Sequence, residues 1–295
     1  MSAAGAGTGT RCAPSPSSTS CCKSSVLPLW GDRPIQSITK RDALDLLDEI
    51  AGRAPVLANR VASLLKRVFS WAVEREVIAA SPLVGLKPPA KEKARERVLE
   101  DHELAAIWRA SDQIGWPIGD ITRLLILTGA RRSEVTGMAW AELDLERGLW
   151  TKPAERTKGG HEHRLPLSGA AVDLIKSLPV VDGNPHVFPS RSGAGPVTAI
   201  SRPKARLDAL SGASGWTHHD LRRTAASGLA RLGASDLVVA AVLGHSRSAI
   251  IGVTSRYDRH GRDAEQRHAL EQWAAHVARI AEGGGAEVVP LRAAR

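Results

Sequence analysis

One tyrosine and two phenylalanines occur in 295 residues, against eight tryptophans. A reaction carried by a tyrosine hydroxyl therefore has one candidate, Tyr257. Cysteine is also scarce. Cys12, Cys21 and Cys22 all lie in the first 22 residues, so no disulfide framework staples the remainder. That usage fits a reducing, cytoplasmic compartment. Cys21 and Cys22 are adjacent, with no histidine nearby, which is poor spacing for a thiolate metal site. His161 and His163 flank Glu162 in a polar stretch, unlike the His-Glu-x-x-His helix of zinc proteases. No bound metal or cofactor is expected. No apolar run approaches the ~20 residues of a membrane span, so no membrane association is expected. The glycine runs at 5–9 and 193–195 do not follow a strand and open a helix, which excludes a phosphate loop at either.

Lys and Arg number 40 against 31 Asp and Glu, a formal charge of +9. Such an excess favours a polyanionic partner, nucleic acid before membrane surface. The charge is concentrated. Residues 60–97 hold nine basic and four acidic residues, a net +5. Arg60, Lys66 and Arg67 fall on one predicted helix, and Lys87, Lys91 and Lys93 follow in a proline-bearing stretch. These six are the candidate DNA-phosphate contacts.

Residues 1–29 are rich in Gly, Ser, Thr, Ala and Pro without periodicity, and read as a disordered tail. Helical patterning follows. Thr39 with Asp42 resembles a capping box, Ala43, Leu46, Leu47 and Ile50 repeat at helical spacing, and Gly52 suits the C-terminal end. A second helix is predicted over about 56–77, on a stripe including Leu57, Val61, Leu65, Val68, Phe69 and Ala72. Leu86-Lys87-Pro88-Pro89-Ala90-Lys91 is extended and basic, so 84–97 reads as an interdomain linker. The expected organisation is a small helical domain at 30–97, a larger one at 98–281 and a flexible tail at 282–295. The larger domain reads as helices interrupted once, at about 148–167, by short antiparallel strands joined by a glycine turn. The fold class is mainly α with a small antiparallel β-sheet.

The larger domain holds an ordered set of reactive side chains. Arg131 follows a helix-breaking glycine, Lys158 tips the strand turn, and His219 and Arg222 share a helix face. His245 lies just past a helix end, and Tyr257 follows twelve residues later. Together they are what transfer of a phosphodiester to a protein side chain requires. Two guanidinium forks clamp the non-bridging oxygens of a five-coordinate transition state. A phenol of pKa ~10 needs a neighbour to take its proton, and His219 is the candidate. Lys158 can protonate the leaving 5′-oxygen, and His245 can donate to the phosphate. None of these motifs supplies a carboxylate cluster suited to Mg²⁺, which disfavours a two-metal mechanism.

Thr128-Gly129-Ala130-Arg131 with Ser133-Glu134, Lys158, His219-Asp220-Leu221-Arg222-Arg223-Thr224, Leu243-Gly244-His245 and Tyr257 together resemble the tyrosine recombinases, or phage-type integrases. Order and approximate spacing agree, and the likeness covers about 27–281, where Trp30-Gly31-Asp32 to Pro89 looks like the family's helical core-binding domain. The resemblance implies a C-shaped clamp on duplex DNA, a 3′-phosphotyrosyl intermediate and no required cofactor. It implies a tetramer on DNA, with accessory DNA-bending proteins as further partners. By that resemblance Arg131 and Arg222 bind the scissile phosphate, Lys158 is the general acid, His219 and His245 assist, Tyr257 is the nucleophile and Glu134 supports. The implied location is the bacterial cytoplasm, at the nucleoid.

The interval from His245 to Tyr257 is longer than the common family spacing, and Gly252-Val253-Thr254 before Arg256-Tyr257 looks like a genomic-island branch. Members of that branch carry further N-terminal domains, so the chain reads as a shortened or frame-altered integrase. Two other functions fit the motifs. One is a type IB topoisomerase, against which His219 ahead of Arg222, rather than lysine, argues. The other is a DNA-binding remnant without catalysis. After the tyrosine, Ala269, Leu270, Trp273, Ala274, Val277 and Ile280 form an amphipathic stripe. Packing in cis and, as the resemblance suggests, docking on a neighbouring protomer both remain open for it.

Overall fold

The computed structural model describes residues 22–92, 95–191, 193, 195–198, 201–245 and 262–283. The chain divides into two compact units, residues 1–95 and 96–295.

In the first unit a π-helical turn, Cys22–Val26, leads into α1, Leu27–Trp30. Val26 and Trp30 are buried, so residues 22–29 of the stretch expected to be a pattern-free tail are helical and in part packed. Helices α2 (Lys40–Arg53) and α3 (Pro55–Glu74) form the body. The Thr39 hydroxyl oxygen accepts from the Asp42 amide, and Asp42 accepts from the Thr39 amide at 2.8 Å. Asp42 also accepts from Arg33, and these donors hold its carboxyl well below the usual range. Gly52 lies inside α2, which runs one residue further and ends on Ala54, because Pro55 starts the next helix directly. Leu46, Leu47, Ile50, Val61, Leu65 and Phe69 close the core with Trp30, Leu83 and Leu86. Val68, expected on the buried stripe, is exposed, and the buried stripe of α3 is shifted toward Ala58 and Ala62.

The second unit begins with α4 (Asp101–Ile114) and α5 (Ile118–Thr128), followed by the short α6 (Arg132–Thr136). A three-stranded antiparallel sheet follows in the order β1-β2-β3, from β1 (Leu143–Asp144), β2 (Leu149–Lys152) and β3 (His163–Pro166). Its register pairs Trp150 with Leu165 and Lys152 with His163. Among the described residues five helices follow: α7 (Gly169–Lys176), α8 (Ser201–Ser211), α9 (His218–Arg231), α10 (Asp236–Val242) and α11 (Asp263–Ala281).

Helix α5 is apolar on most sides, which fits a central helix surrounded by others. Packed on it, α9 and α11 bring Leu221, Ala225, Leu229, Leu270, Trp273 and Val277 into one core with Leu124, Ile126 and Trp150. The Trp273 indole donates to the Ile126 carbonyl at 2.8 Å. Arg267 donates to the carbonyls of Arg147, Gly148 and Leu167, and Glu271 accepts from the Gly169 amide at the start of α7. The amphipathic helix after the tyrosine thus packs in cis, with Leu270, Trp273, Ala274 and Val277 against their own unit. Among the described residues, no helix is long and apolar enough to cross a membrane.

Candidate active site

The site is assembled where α5 ends, α9 begins, α10 ends and the sheet turns. Gly129 caps α5 at φ 59°, a left-handed conformation that a Cβ disfavours. A Cβ there would lie 3.3 Å from Ala225 on α9, so glycine also permits the close approach of the two helices. The turn delivers Arg131 to the N-terminus of α6. There the Arg131 amide donates to Glu134 Oε2 at 3.1 Å, and its guanidinium donates to Oε1 at 2.7 Å.

Arg222 is buried one helical turn after His219 on α9. Asp220 between them is fully buried and accepts from the Thr217 amide and hydroxyl, which pins the start of the helix. Arg222 donates from Nη1 to the Gly129 carbonyl at 2.9 Å and from Nη2 to the Leu243 carbonyl at 2.6 Å. One side chain thereby ties the ends of α5 and α10 to α9. Nη2 also lies 3.4 Å from His245 Nε2. A guanidinium only donates, so that Nε2 accepts and the neutral ring carries its proton on Nδ1. Burial, then Arg222 and Arg131, lower the His245 pKa. His219 is lowered by burial, then by Arg223 and Arg222. Both imidazoles are thereby biased toward the neutral form. Burial and the nearby Arg131 charge lower Arg222 to about 10, which leaves it cationic at pH 7.

Glu134 is 2% exposed and shared between two cations. Its second partner is Lys152 on β2, whose Nζ lies 3.1 Å from Oε2. Burial by itself would raise Glu134. The Lys152 charge and the Arg131 hydrogen bonds outweigh it and bring the carboxyl to about 2. Lys152 is 1% exposed, with its ammonium 4.4 Å from the centre of the Trp150 ring. Trp150 in turn donates to Glu142, Glu142 pairs with Arg156, and Arg156 donates to the Glu134 carbonyl at 2.9 Å. The loop of contacts closes on α6.

His163 completes the wall. Its Nε2 donates to the Ala241 carbonyl at 2.9 Å, so the neutral ring bears its proton there. Burial, then Lys152, lowers it to about 4. The ring lies against Gly244 (φ 61°), where a Cβ would sit 2.7 Å from Nδ1. The residue before His245 must be glycine for the strand and the helix end to meet.

Of the sequence-predicted residues, Arg131, Glu134, Arg222 and His245 are joined by these contacts, and His219 stands exposed at the same helix start. Lys158 lies exposed on the turn between β2 and β3, outside the cluster. Tyr257 lies outside the described residues, as does Lys93. Arg60, Arg67, Lys87 and Lys91 are exposed. Lys66 is half-buried and lines a cavity of about 340 Å³ with Asn59, Ser63, Pro88 and Glu92. The predicted linker is fastened there. Asn59 and Ala90 exchange two hydrogen bonds, and Asn59 also donates to Glu92. Among the described residues, none of those five basic side chains is in an ion pair. Sequence reading missed Lys152 and His163. A lysine two residues after Trp150, on the inward face of a predicted strand, was the available signal.

Residues 97–262 match the phage integrase family, and residues 16–88 match the phage integrase central domain. The chain belongs to the phage integrase family. Prophage integrase IntZ of Escherichia coli (strain K12) is 30% identical over 270 residues, 90% of this chain and 66% of IntZ. Prophage integrase IntA of the same strain is 25% identical over 271 residues, 88% of this chain and 63% of IntA. The chain thus spans just under two thirds of the length of these relatives. The fold is also that of a lambda integrase tetramer crystallised on a Holliday junction, with a TM-score of 0.63 at 21% identity. That match covers 80% of this chain and 72% of the lambda protein.

Proposed function

We propose that this integrase cleaves and rejoins duplex DNA at a specific site through a 3′-phosphotyrosyl bond to Tyr257. The observation that carries the reading is the convergence of Arg131, Arg222 and His245 at the joined ends of α5, α9 and α10, with Arg222 bonded to Gly129 and Leu243 and 3.4 Å from His245. Two guanidinium groups supply fixed positive charge where a phosphorane develops negative charge, which is the largest catalytic contribution available without a metal. Arg222 keeps further N–H donors beyond those given to Gly129 and Leu243.

In the forward step the Tyr257 oxygen attacks phosphorus while His219 takes its proton and His245 donates to a phosphate oxygen. The P–O5′ bond breaks, and the 5′-oxygen takes a proton from Lys158, which stands on an exposed turn. The same groups in reverse rejoin the strand. The five exposed or half-exposed cations of the first unit, with Lys93, contact DNA phosphates and add salt-dependent affinity. Assembly on DNA is proposed to be tetrameric, with accessory DNA-bending proteins, in the bacterial nucleoid.

The test is a duplex nicked next to the scissile phosphate, so that the released fragment diffuses away and the covalent complex accumulates. Wild-type protein is expected to form a denaturant-stable adduct, and Tyr257→Phe to bind without forming one. An adduct in the phenylalanine variant contradicts the assignment. Relaxation of supercoiled plasmid by a monomer, with no recombinant product, favours a topoisomerase instead.

A further inference from the structure

We propose that Lys152 is a positioning residue for phosphate capture, sharing the charge of Glu134 so that Arg131 remains free to hold the scissile phosphate. The proposal rests on the strand-transfer reading above. Its basis is geometric. Glu134 gives Oε1 to the Arg131 guanidinium at 2.7 Å and Oε2 to the Lys152 ammonium at 3.1 Å. A carboxylate held by one arginine alone competes with an incoming phosphate for that arginine. Held by two cations, Arg131, Glu134 and Lys152 carry a net single positive charge, and Arg222 adds another. Removing the ammonium would leave Arg131 neutralised by its own partner.

Stability does not account for a lysine at this position. Burying an ammonium costs several kcal/mol, and a well-packed apolar side chain of similar volume is often as stable or more so. The groups facing Lys152 are Trp150 on its own strand, His163 across the β2–β3 pair, Glu134 on α6, Arg131 at the N-cap of α6, and Arg222 on α9. Lys152 is the member of that set that titrates first on the alkaline side, below Arg222. Burial lowers it to about 8 against the opposing pull of Glu134. When it loses its proton, the full charge of Glu134 falls on Arg131.

The experiment is single-turnover adduct formation on the nicked duplex, alongside equilibrium DNA binding, over roughly pH 6 to 9. Wild type, Lys152→Met and Lys152→Arg are compared, with thermal melting of each as the check on folding. The wild-type cleavage rate is expected to fall above about pH 8. Lys152→Met should cleave about tenfold more slowly at pH 7, the effect of ~1.4 kcal/mol at the transition state, and should lose that fall. Lys152→Arg, charged throughout, should keep the rate and also lose the fall. A methionine variant that matches wild type, or that is slowed equally at every pH, overturns the proposal. The absence of any wild-type adduct overturns the strand-transfer reading itself, and is thereby distinguishable from failure of the Lys152 role.

Discussion

Arg222 donates to the Gly129 carbonyl at 2.9 Å, joining residues 93 positions apart in sequence. The contact makes the arginine proposed to bind the scissile phosphate also a strut of the site. Arg222→Lys keeps the charge but loses the planar fork, which serves Gly129, Leu243 and His245 together. Cleavage should fall about 10²–10³-fold, the usual cost of one preorganised donor, with DNA affinity changed far less. Equal losses in affinity and cleavage would mean that Arg222 contributes only general binding.

Gly129→Ala places a side chain at φ 59° with its Cβ 3.3 Å from Ala225. The expected cost is about 1–2 kcal/mol, or roughly 2–8 °C in melting temperature. Ser133→Ala, at an exposed position of α6, is the control and should melt like wild type.

Stability should fall in two stages on acidification. His163 and His218 are both lowered to about 4 by burial and nearby cations, from an ordinary value near 6.5. Between those values the unfolded chain binds protons that the folded chain does not, so stability declines as pH drops from about 6.5 to 4. Glu134 acts next, with a folded value of about 2 against an ordinary 4.5. Its contribution is complete above about 4.5 and is lost as pH falls toward 2. Urea unfolding at pH 7, 5 and 3.5 measures both stages. His163→Gln with His218→Gln should flatten the first and leave the second.

Glu134→Gln leaves the buried Lys152 without its counter-charge, and breaking a buried pair in this way costs about 3–5 kcal/mol. The double variant Glu134→Gln with Lys152→Met should recover much of that loss in equilibrium unfolding. Additive losses in the two single variants would show that the pair is not coupled.

Trp273 is almost fully buried and hydrogen-bonded to Ile126. Truncation to alanine should cost about 3–5 kcal/mol. The measurement is the melting temperature of the monomeric protein at low concentration. An effect that vanishes on dilution would place the helix on a neighbouring protomer rather than in cis.

Legibility followed the range of the signal. The Thr39–Asp42 cap and the helix-ending Gly129 depend on a few adjacent residues, and the sequence displays them directly. The order of Arg131, His219, Arg222 and His245 was equally readable, because each sits at an element end marked by glycine or a cap. Lys152 and His163 were not. Their roles arise from a strand register that pairs them and from a sheet edge laid against α6 and α10. Spacing alone does not carry that information. The proline-bearing stretch read as a linker for similar reasons. Its composition is that of a spacer, and contacts distant in sequence, Leu86 in the core, Lys40 on the Val84 carbonyl and Asn59 on Ala90, bind it to the helical core.

The most direct measurement is the identity of the residue that carries the DNA. The covalent complex formed on nicked duplex can be digested with nuclease and trypsin and examined by mass spectrometry. The expected product is a nucleotide-bearing peptide Tyr257–Arg259, modified on the tyrosine and absent when Tyr257→Phe is tested. Modification of any serine, histidine or lysine instead, or no covalent complex from wild-type protein, would contradict it.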